Sequence, residues 1–535
     1  MRLYRRHLLC SNIFATNASA RIAKERLEII KMQFHCCRCC LMFLESGSVG
    51  NASSSDEELE QWEQIFMMRD ENGNGYNDKR KKRSIWCRPS CIPVSIVIIL
   101  IVLVVLLPLL DQQGAAQTLI QKKVISHCSD QCRLSLVETI PEGHMYPPNI
   151  NTHLPTKNVW LDLIDEAQST IEIASFYWTL RFNEEYPYNS SIEGEQVFQA
   201  LLAAGTRRKI NLKIAQNWPT KSFPNTDTEY LVKKKAAQVR SLNFSKLLGG
   251  GVLHTKFWII DRTHFYIGSA NMDWRALTQV KEMGIVAFNC SCLATDLAKI
   301  FDVYWSLGGP DADVPPKWPE ELDTDINIEN PMNITANNLT YGAFISSSPP
   351  PFNPEGRTND ADGIVSIIES AEEFVYISVM DYSPALLFTP KFHYWPLIDN
   401  AIRKAALEHK VKVKMLISWW QHSRASQTYF LRSLTALSQA LPRVDIQVKR
   451  FIVPATPEQA KIPYGRVNHN KYMVTDKTAY IGTSNWSGDY FTDTAGVAFI
   501  YNDHGVEGNM TQDIRKDLQQ VFERDWSSPY AVSFV

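Results

Sequence analysis

Two short stretches carry the residues that could do chemistry: "HTKFWIID", His254 to Asp261, and "HNKYMVTD", His469 to Asp476. Both read H-x-K-x-x-x-x-D, and both run into a tyrosine, an isoleucine and a small polar turn, "YIGSAN" at 266–271 and "YIGTSN" at 480–485. Two copies with the same continuation point to a duplicated unit. On an extended strand, residues i and i+2 share a face. His254 and Lys256 therefore project together, as do His469 and Lys471. Asp261 and Asp476 fall on the opposite parity, at the strand end, which suggests a structural role. Asn271 and Asn485, after the next strand, return as hydrogen-bond donors. If the copies face one another about a pseudo-twofold axis, two imidazoles, two ammonium groups and two amides surround a tetrahedral anion. That set suits a phosphoryl centre. Cations and amides neutralise the equatorial oxygens. One neutral histidine attacks phosphorus, and the other, protonated, gives a proton to the leaving oxygen. The lysines supply the charge, so no metal and no cofactor are expected, and no carboxylate–histidine arrangement with zinc-ligand spacing flanks the motifs.

The elements that position these motifs also repeat. "LIDEAQSTIEIASFYW" (163–178) parallels "IIESAEEFVYISVMDY" (367–382), each a helix end followed by an apolar strand. "RKINLKIAQNW" (208–218) parallels "VKVKMLISWW" (411–420), each after a helical run. Helices alternating with β-rich runs predict an α/β fold of two pseudo-symmetric halves, each with helices layered on a mostly buried sheet. The expected order is a cytosolic tail at 1–91, an apolar helix at 92–110 and a stem at 111–140. A first half follows at 141–309 with its motif at 254–261, then a linker at 310–340, and a second half at 341–535 with its motif at 469–476. Phe176, Tyr177, Trp178, Trp419, Trp420 and Trp486 end or follow strands, where bases could stack on them. Core packing explains such clusters equally well.

The net charge of −2 over 535 residues gives no global basic field, so any polyanion must be held locally. Ile92 to Leu110 is a run of 19 residues without a charge, long enough to cross a bilayer. "KRKKR" at 79–83 precedes it and Asp111 follows, which predicts a cytosolic N-terminus and a type II single-pass protein. Beyond the run lie four cysteines, Cys128, Cys132, Cys290 and Cys292. An even count suits two disulfides in an oxidising compartment, with the pairing open. Asn189, Asn243, Asn289, Asn333, Asn338 and Asn509 each begin an N-x-S/T glycosylation signal.

With the GSAN and GTSN turns, the paired motifs resemble the two HKD motifs of the phospholipase D superfamily. The wording "HTKFWIIDRTHFYIGSANMDWRALTQVKEMGIVAFNCSCL" and "VNHNKYMVTDKTAYIGTSNWSGDYFTDTAG", with the anchor, resembles the animal type II branch of phospholipase D family members three and four. The resemblance covers roughly residues 120–530 and implies α/β/α sandwich halves. It also implies a metal-independent 5′→3′ exonuclease on single-stranded DNA and RNA, acting through a phosphohistidine. The location implied runs from endoplasmic reticulum and Golgi to the endosome and lysosome lumen. Carried over by position, His254, Lys256, Asp261, His469, Lys471 and Asp476 are the catalytic set, Asn271 and Asn485 bind phosphate, and Glu282 orients a histidine, taken to be His254. In the second half, Thr494 is expected where the matching glutamate would stand. Alternatives are a phospholipid hydrolase or transphosphatidylase, and a non-catalytic membrane glycoprotein; a homodimer is an allowed assembly.

Overall fold

A computed structural model describes residues 127–534 except 149, 151, 182–188, 390 and 504–512. The tail, the apolar run at 92–110 and Asn509 lie outside the described residues, and among those described no helix is long and apolar enough to cross a membrane.

Two sheets follow one plan. The chain enters through β1 (His127–Thr139), then forms β2 (Thr170–Ser175), β3 (Asn211–Asn217) and β4 (Ala237–Leu242), parallel in the order β4-β3-β2. Next come β5 (Phe257–Ile260), β6 (His264–Gly268) and β7 (Glu282–Phe288), which continue antiparallel from β2 and return to β1. The second sheet begins with β8 (Met332–Ala336) and β9 (Leu339–Ser348), followed by β10 (Phe374–Val379), β11 (Lys412–Ser418) and β12 (Ile446–Phe451), parallel in the order β12-β11-β10. Strands β13 (Lys471–Thr475), β14 (Thr478–Gly482) and β15 (Gly496–Asp503) continue antiparallel from β10 and return to β9. Strand β8 pairs with both β9 and β1, joining the sheets.

Two expected boundaries therefore move. The described end of the expected stem, from His127, is the innermost strand of the first sheet and the counterpart of β9. The expected linker likewise ends inside the second sheet, because β8 and the start of β9 precede residue 341. Strand β1 was not legible because it pairs with segments far away in the chain, whereas β8 and β9 form a local hairpin whose turn, Asn337 and Asn338 at φ +52 and +65, sequence reasoning passed over.

Every residue of β5, β6 and β7 is buried, as sheets covered on both faces require. Helices α1 (Thr156–Glu166) and α2 (Ile192–Thr206) cover the outer face of the first sheet; Val159, Trp160, Leu163 and Ile164 form the buried stripe of α1. Helix α3 (Ser291–Leu307) lies inside, while α4 (Asp360–Ser370), α5 (Leu397–Glu408) and α6 (Ala425–Ala440) supply the outer core of the second sheet. Between the sheets, α3 and α7 (Ile514–Ser527) share one apolar core to which both halves contribute. Phe265 and Phe499 meet there with ring centroids 5.7 Å apart.

Disulfides Cys128–Cys292 and Cys132–Cys290 fix β1 to the start of α3, resolving the open pairing. Asn189, Asn289 and Asn338 are exposed, and Asn243 and Asn333 half-buried.

Candidate active site

Each histidine reaches the inter-half cleft on an extended segment held by the opposite half. The His254 N–H donates to the Ala495 carbonyl (3.0 Å) and the His469 N–H to that of Lys281 (2.8 Å). These two reciprocal contacts put both imidazoles, 6% and 8% exposed, in the wall of one cavity of about 330 Å³. Three residues before His254, Gly251 has φ +86, and a Cβ there would lie 1.9 Å from the Asp493 carbonyl oxygen. Only glycine suits that approach.

The two histidines have different supports. His254 Nδ1 lies 3.0 Å from the Thr483 carbonyl oxygen. A carbonyl can only accept, so Nδ1 carries the proton and Nε2 keeps a lone pair. His469 Nδ1 lies 2.9 and 3.0 Å from the two oxygens of Glu282, whose carboxylate also accepts from the Ser269 hydroxyl at 2.5 Å. Glu282 thus serves His469 across the interface and not, as expected, the histidine of its own half. The structural counterpart of Glu282 also differs from expectation. Gly268 pairs with Gly284 in the first sheet and Gly482 with Ala498 in the second. Counting two residues back along each strand matches Glu282 with Gly496, not Thr494. Aligning the glycines of the two segments shifted the register by two. A side chain at Gly496 would meet the Ser484 hydroxyl at 2.0 Å, so no carboxylate fits there.

Burial pushes the His254 pKa well below the usual imidazole range, and the Lys256 and Lys471 ammonium groups add to the shift. For His469 burial again lowers the pKa, but the Glu282 carboxylate opposes it. Burial also depresses Lys256 and pushes Lys471 down to about 7, against the opposing pull of Glu282 and Asp381. The lysines lie beneath the histidines: Lys471 Nζ donates to the His469 carbonyl at 2.8 Å, and Lys256 Nζ to that of His254. A bound anion would restore their charge. Asn271 and Asn485 line the same cavity, each with an amide oxygen that finds no partner.

Asp261 and Asp476 are not in the cleft. Asp261 accepts from the N–H groups of Gln168 (2.6 Å), Ser169 (2.9 Å) and Thr170 (2.6 Å) and from the Ser169 hydroxyl (2.6 Å). Asp476 accepts from those of Glu372 (3.1 Å), Glu373 (3.1 Å) and Phe374 (3.3 Å). Each ties its motif strand to the turn before the neighbouring antiparallel strand, β2 or β10. Both stand just past the end of their motif strand, where they bond backbone N–H groups as the expected structural role requires.

Of the aromatic candidates, Phe176, Tyr177 and Trp420 line the cavity, while Trp178 and Trp486 are each 1% exposed in the core. Trp419 lies under Arg450, 3.8 Å from ring centroid to guanidinium carbon. Sequence reasoning missed Tyr490, His422, Tyr464 and Asp381 in the cavity wall. A second, more apolar chamber of about 500 Å³ adjoins it and shares Phe176, His254 and Tyr490. The Tyr490 ring stands edge-on to His254, centroids 4.9 Å apart. Among the described residues, one grouping has ligand atoms close enough for a metal, Cys128, Asp130 and Cys292, and both sulfurs are in the Cys128–Cys292 disulfide.

A duplicated α/β unit that places two H-x-K histidines in one inter-half cleft defines the phospholipase D class of fold. Residues 148–456 match the family described as PLD3/4, PLD-like domain. A Xenopus laevis protein named 5'-3' exonuclease PLD3 is 50% identical over 78% of this chain and 84% of its own length. The human protein of the same name is 48% identical over 76% and 81%. The chain belongs to this family. A looser likeness, TM-score 0.45 at 11% identity over 70% of this chain and 85% of the other, is to a phosphatidylserine synthase of Haemophilus influenzae.

Proposed function

We propose that the cleft is the active centre of a phosphodiesterase that shortens single-stranded DNA and RNA from the 5′ end. The observation that carries the mechanism is the difference in Nδ1 partners. His254, neutral with Nε2 free, attacks phosphorus; a P–N bond forms and the bond to the leaving 5′-oxygen breaks. His469, whose proton Glu282 favours, delivers that proton to the leaving oxygen. Water then gives a proton to His469 and attacks phosphorus, releasing His254 and a 3′-phosphorylated nucleotide. Lys256, Lys471, Asn271 and Asn485 hold the phosphate oxygens. The relatives named 5'-3' exonuclease, about half identical over most of their length, support this choice of substrate.

The run at 92–110 anchors the protein as type II, monomer or homodimer, with the catalytic region delivered through endoplasmic reticulum and Golgi to endosomes and lysosomes. The glycosylation signals and the two disulfides support that side of the membrane. The apolar chamber beside His254 favours a second reading, a phospholipid diester whose phosphate moves to water or to an alcohol. The deciding experiment takes the full chain in detergent at pH 5 with EDTA and a 3′-labelled single strand bearing a 5′-hydroxyl. Stepwise shortening that His254→Ala and His469→Ala abolish is expected. An untouched strand, with phospholipid turnover by the same preparation, would replace the nuclease with the lipid enzyme.

A further inference from the structure

At the mouth of the cavity stands an aromatic column that the transfer of phosphate does not use. The Trp420 and His422 rings meet edge-on, centroids 4.6 Å apart, and His422 and Tyr464 stack at 5.1 Å with an interplanar angle of 24°. All three line the cavity that holds His469, and none lines the chamber beyond His254. Tyr464 is 56% exposed, so core packing does not account for it. Its φ is +57, a left-handed conformation that a bulky residue adopts at a cost.

The surrounding bonds hold it there. The Pro463 carbonyl accepts from Arg275 (2.6 Å), and the Arg466 N–H donates to the Gln279 carbonyl (3.1 Å). Both partners belong to the first half. Arg275 also pairs with Asp273, which accepts from the Tyr177 hydroxyl in the cavity wall at 2.8 Å. A strained, exposed ring clamped from both halves beside a reaction centre is built to meet something flat from solvent.

We propose that Tyr464, backed by His422, is the stacking platform for the nucleobase on the leaving-group side of the scissile phosphate. This deepens the nuclease reading and rests on it. His469 protonates the leaving oxygen, and the platform shares the cavity wall with His469, so the base it meets belongs to the next nucleotide of the strand. Stacking tolerates any base, because each has a π-face.

The test uses two substrates, thymidine joined through its 3′-phosphate either to adenosine or to an abasic sugar, with the full chain and its Tyr464→Ala, Tyr464→Gly and Tyr464→Phe variants. The intact protein should cleave the adenosine substrate roughly ten-fold faster in kcat/KM. Tyr464→Ala and Tyr464→Gly should cleave both at the abasic rate, and Tyr464→Phe should keep the preference. Glycine also relieves the backbone, so Tyr464→Gly should melt no lower than the parent while losing the preference, an outcome a merely structural tyrosine would not give. Equal cleavage of both substrates by the parent, a preference that survives in Tyr464→Gly, or a parallel fall on both substrates would each overturn the platform and leave the nuclease standing. Cleavage of neither by the parent would remove the nuclease reading and the platform with it.

Discussion

The two halves share a strand order, a motif and a reciprocal interface contact, yet they differ at the position that supports the histidine opposite. Where β7 begins with Glu282, β15 begins with Gly496, and the Ser484 hydroxyl occupies the space a side chain would need. As a result His469 has a carboxylate behind it and His254 a peptide carbonyl. A carboxylate stabilises imidazolium; at His254 the carbonyl pulls the same way only weakly, and burial with the Lys256 and Lys471 ammonium groups keeps the ring neutral. In the proposed mechanism, duplication supplies two equivalent groups, and the Glu282/Gly496 difference, acting across the interface, separates an acid from a nucleophile.

The largest effects should come from breaking that division. Each of His254→Ala and His469→Ala should lower turnover of an oligonucleotide about a thousand-fold or more. They should differ on thymidine 3′-(p-nitrophenyl phosphate), whose leaving group needs no proton. His469→Ala should release one equivalent of nitrophenol in a burst and stall as the phosphohistidine, whereas His254→Ala should show none. A burst from His254→Ala alone would exchange the roles.

Glu282→Gln should have the next largest effect. Burial holds the His469 pKa down, and the carboxylate is what opposes that fall. Removing the charge lowers the pKa further, so the acid loses its proton at a lower pH. The alkaline limb of kcat/KM should move to lower pH, with a loss of roughly ten- to a hundred-fold at the parent's optimum. A uniform fall with an unmoved limb would make Glu282 a packing residue only.

How much of this was legible follows from which contacts are local. The H-x-K pairs, the turns after them and the order of helices and strands are short-range patterns, and they gave the α/β halves and the cavity's two histidines. Parity within one strand placed Asp261 and Asp476 outside the site. The partner of Glu282 is set by the pairing of Lys281 with Asn468, 187 positions apart, which no local pattern encodes. The same holds for β1, whose partners are distant, and for Tyr464, whose proposed role depends on a positive φ fixed by Arg275 and Gln279.

Gly251→Ala tests the contact that holds His254. The new Cβ would face the Asp493 carbonyl at 1.9 Å from a backbone at φ +86. Relieving the clash means opening the Leu253–Ala495 bridge between the halves. A loss of about 1–3 kcal/mol in unfolding free energy is expected, with a fall in kcat larger than that in binding. The mirror contact at Lys281 and His469 should stay intact, so the Glu282-dependent alkaline limb should not move.

The smallest effects compare the two aspartates. Asp261 accepts four bonds at 2.6–2.9 Å and a longer one from the Thr170 hydroxyl at 3.5 Å, whereas Asp476 accepts from three N–H groups at 3.1–3.3 Å. Asp261→Ala should therefore cost more, about 1–3 kcal/mol against roughly half that for Asp476→Ala, and neither should change turnover per folded molecule. Burial alone would raise the Asp261 pKa, but the Ser169 hydroxyl and the N–H groups of Gln168, Thr170 and Ser169 outweigh it, and the net shift is downward. A depressed carboxyl stabilises the fold above its unfolded pKa, and that contribution disappears as pH falls through the folded value. The gap in melting temperature between parent and Asp261→Ala should thus be full at pH 5 and close below about pH 4. A gap that persists at pH 2 would mean that lost packing, and not the charge, is what Asp261 supplies.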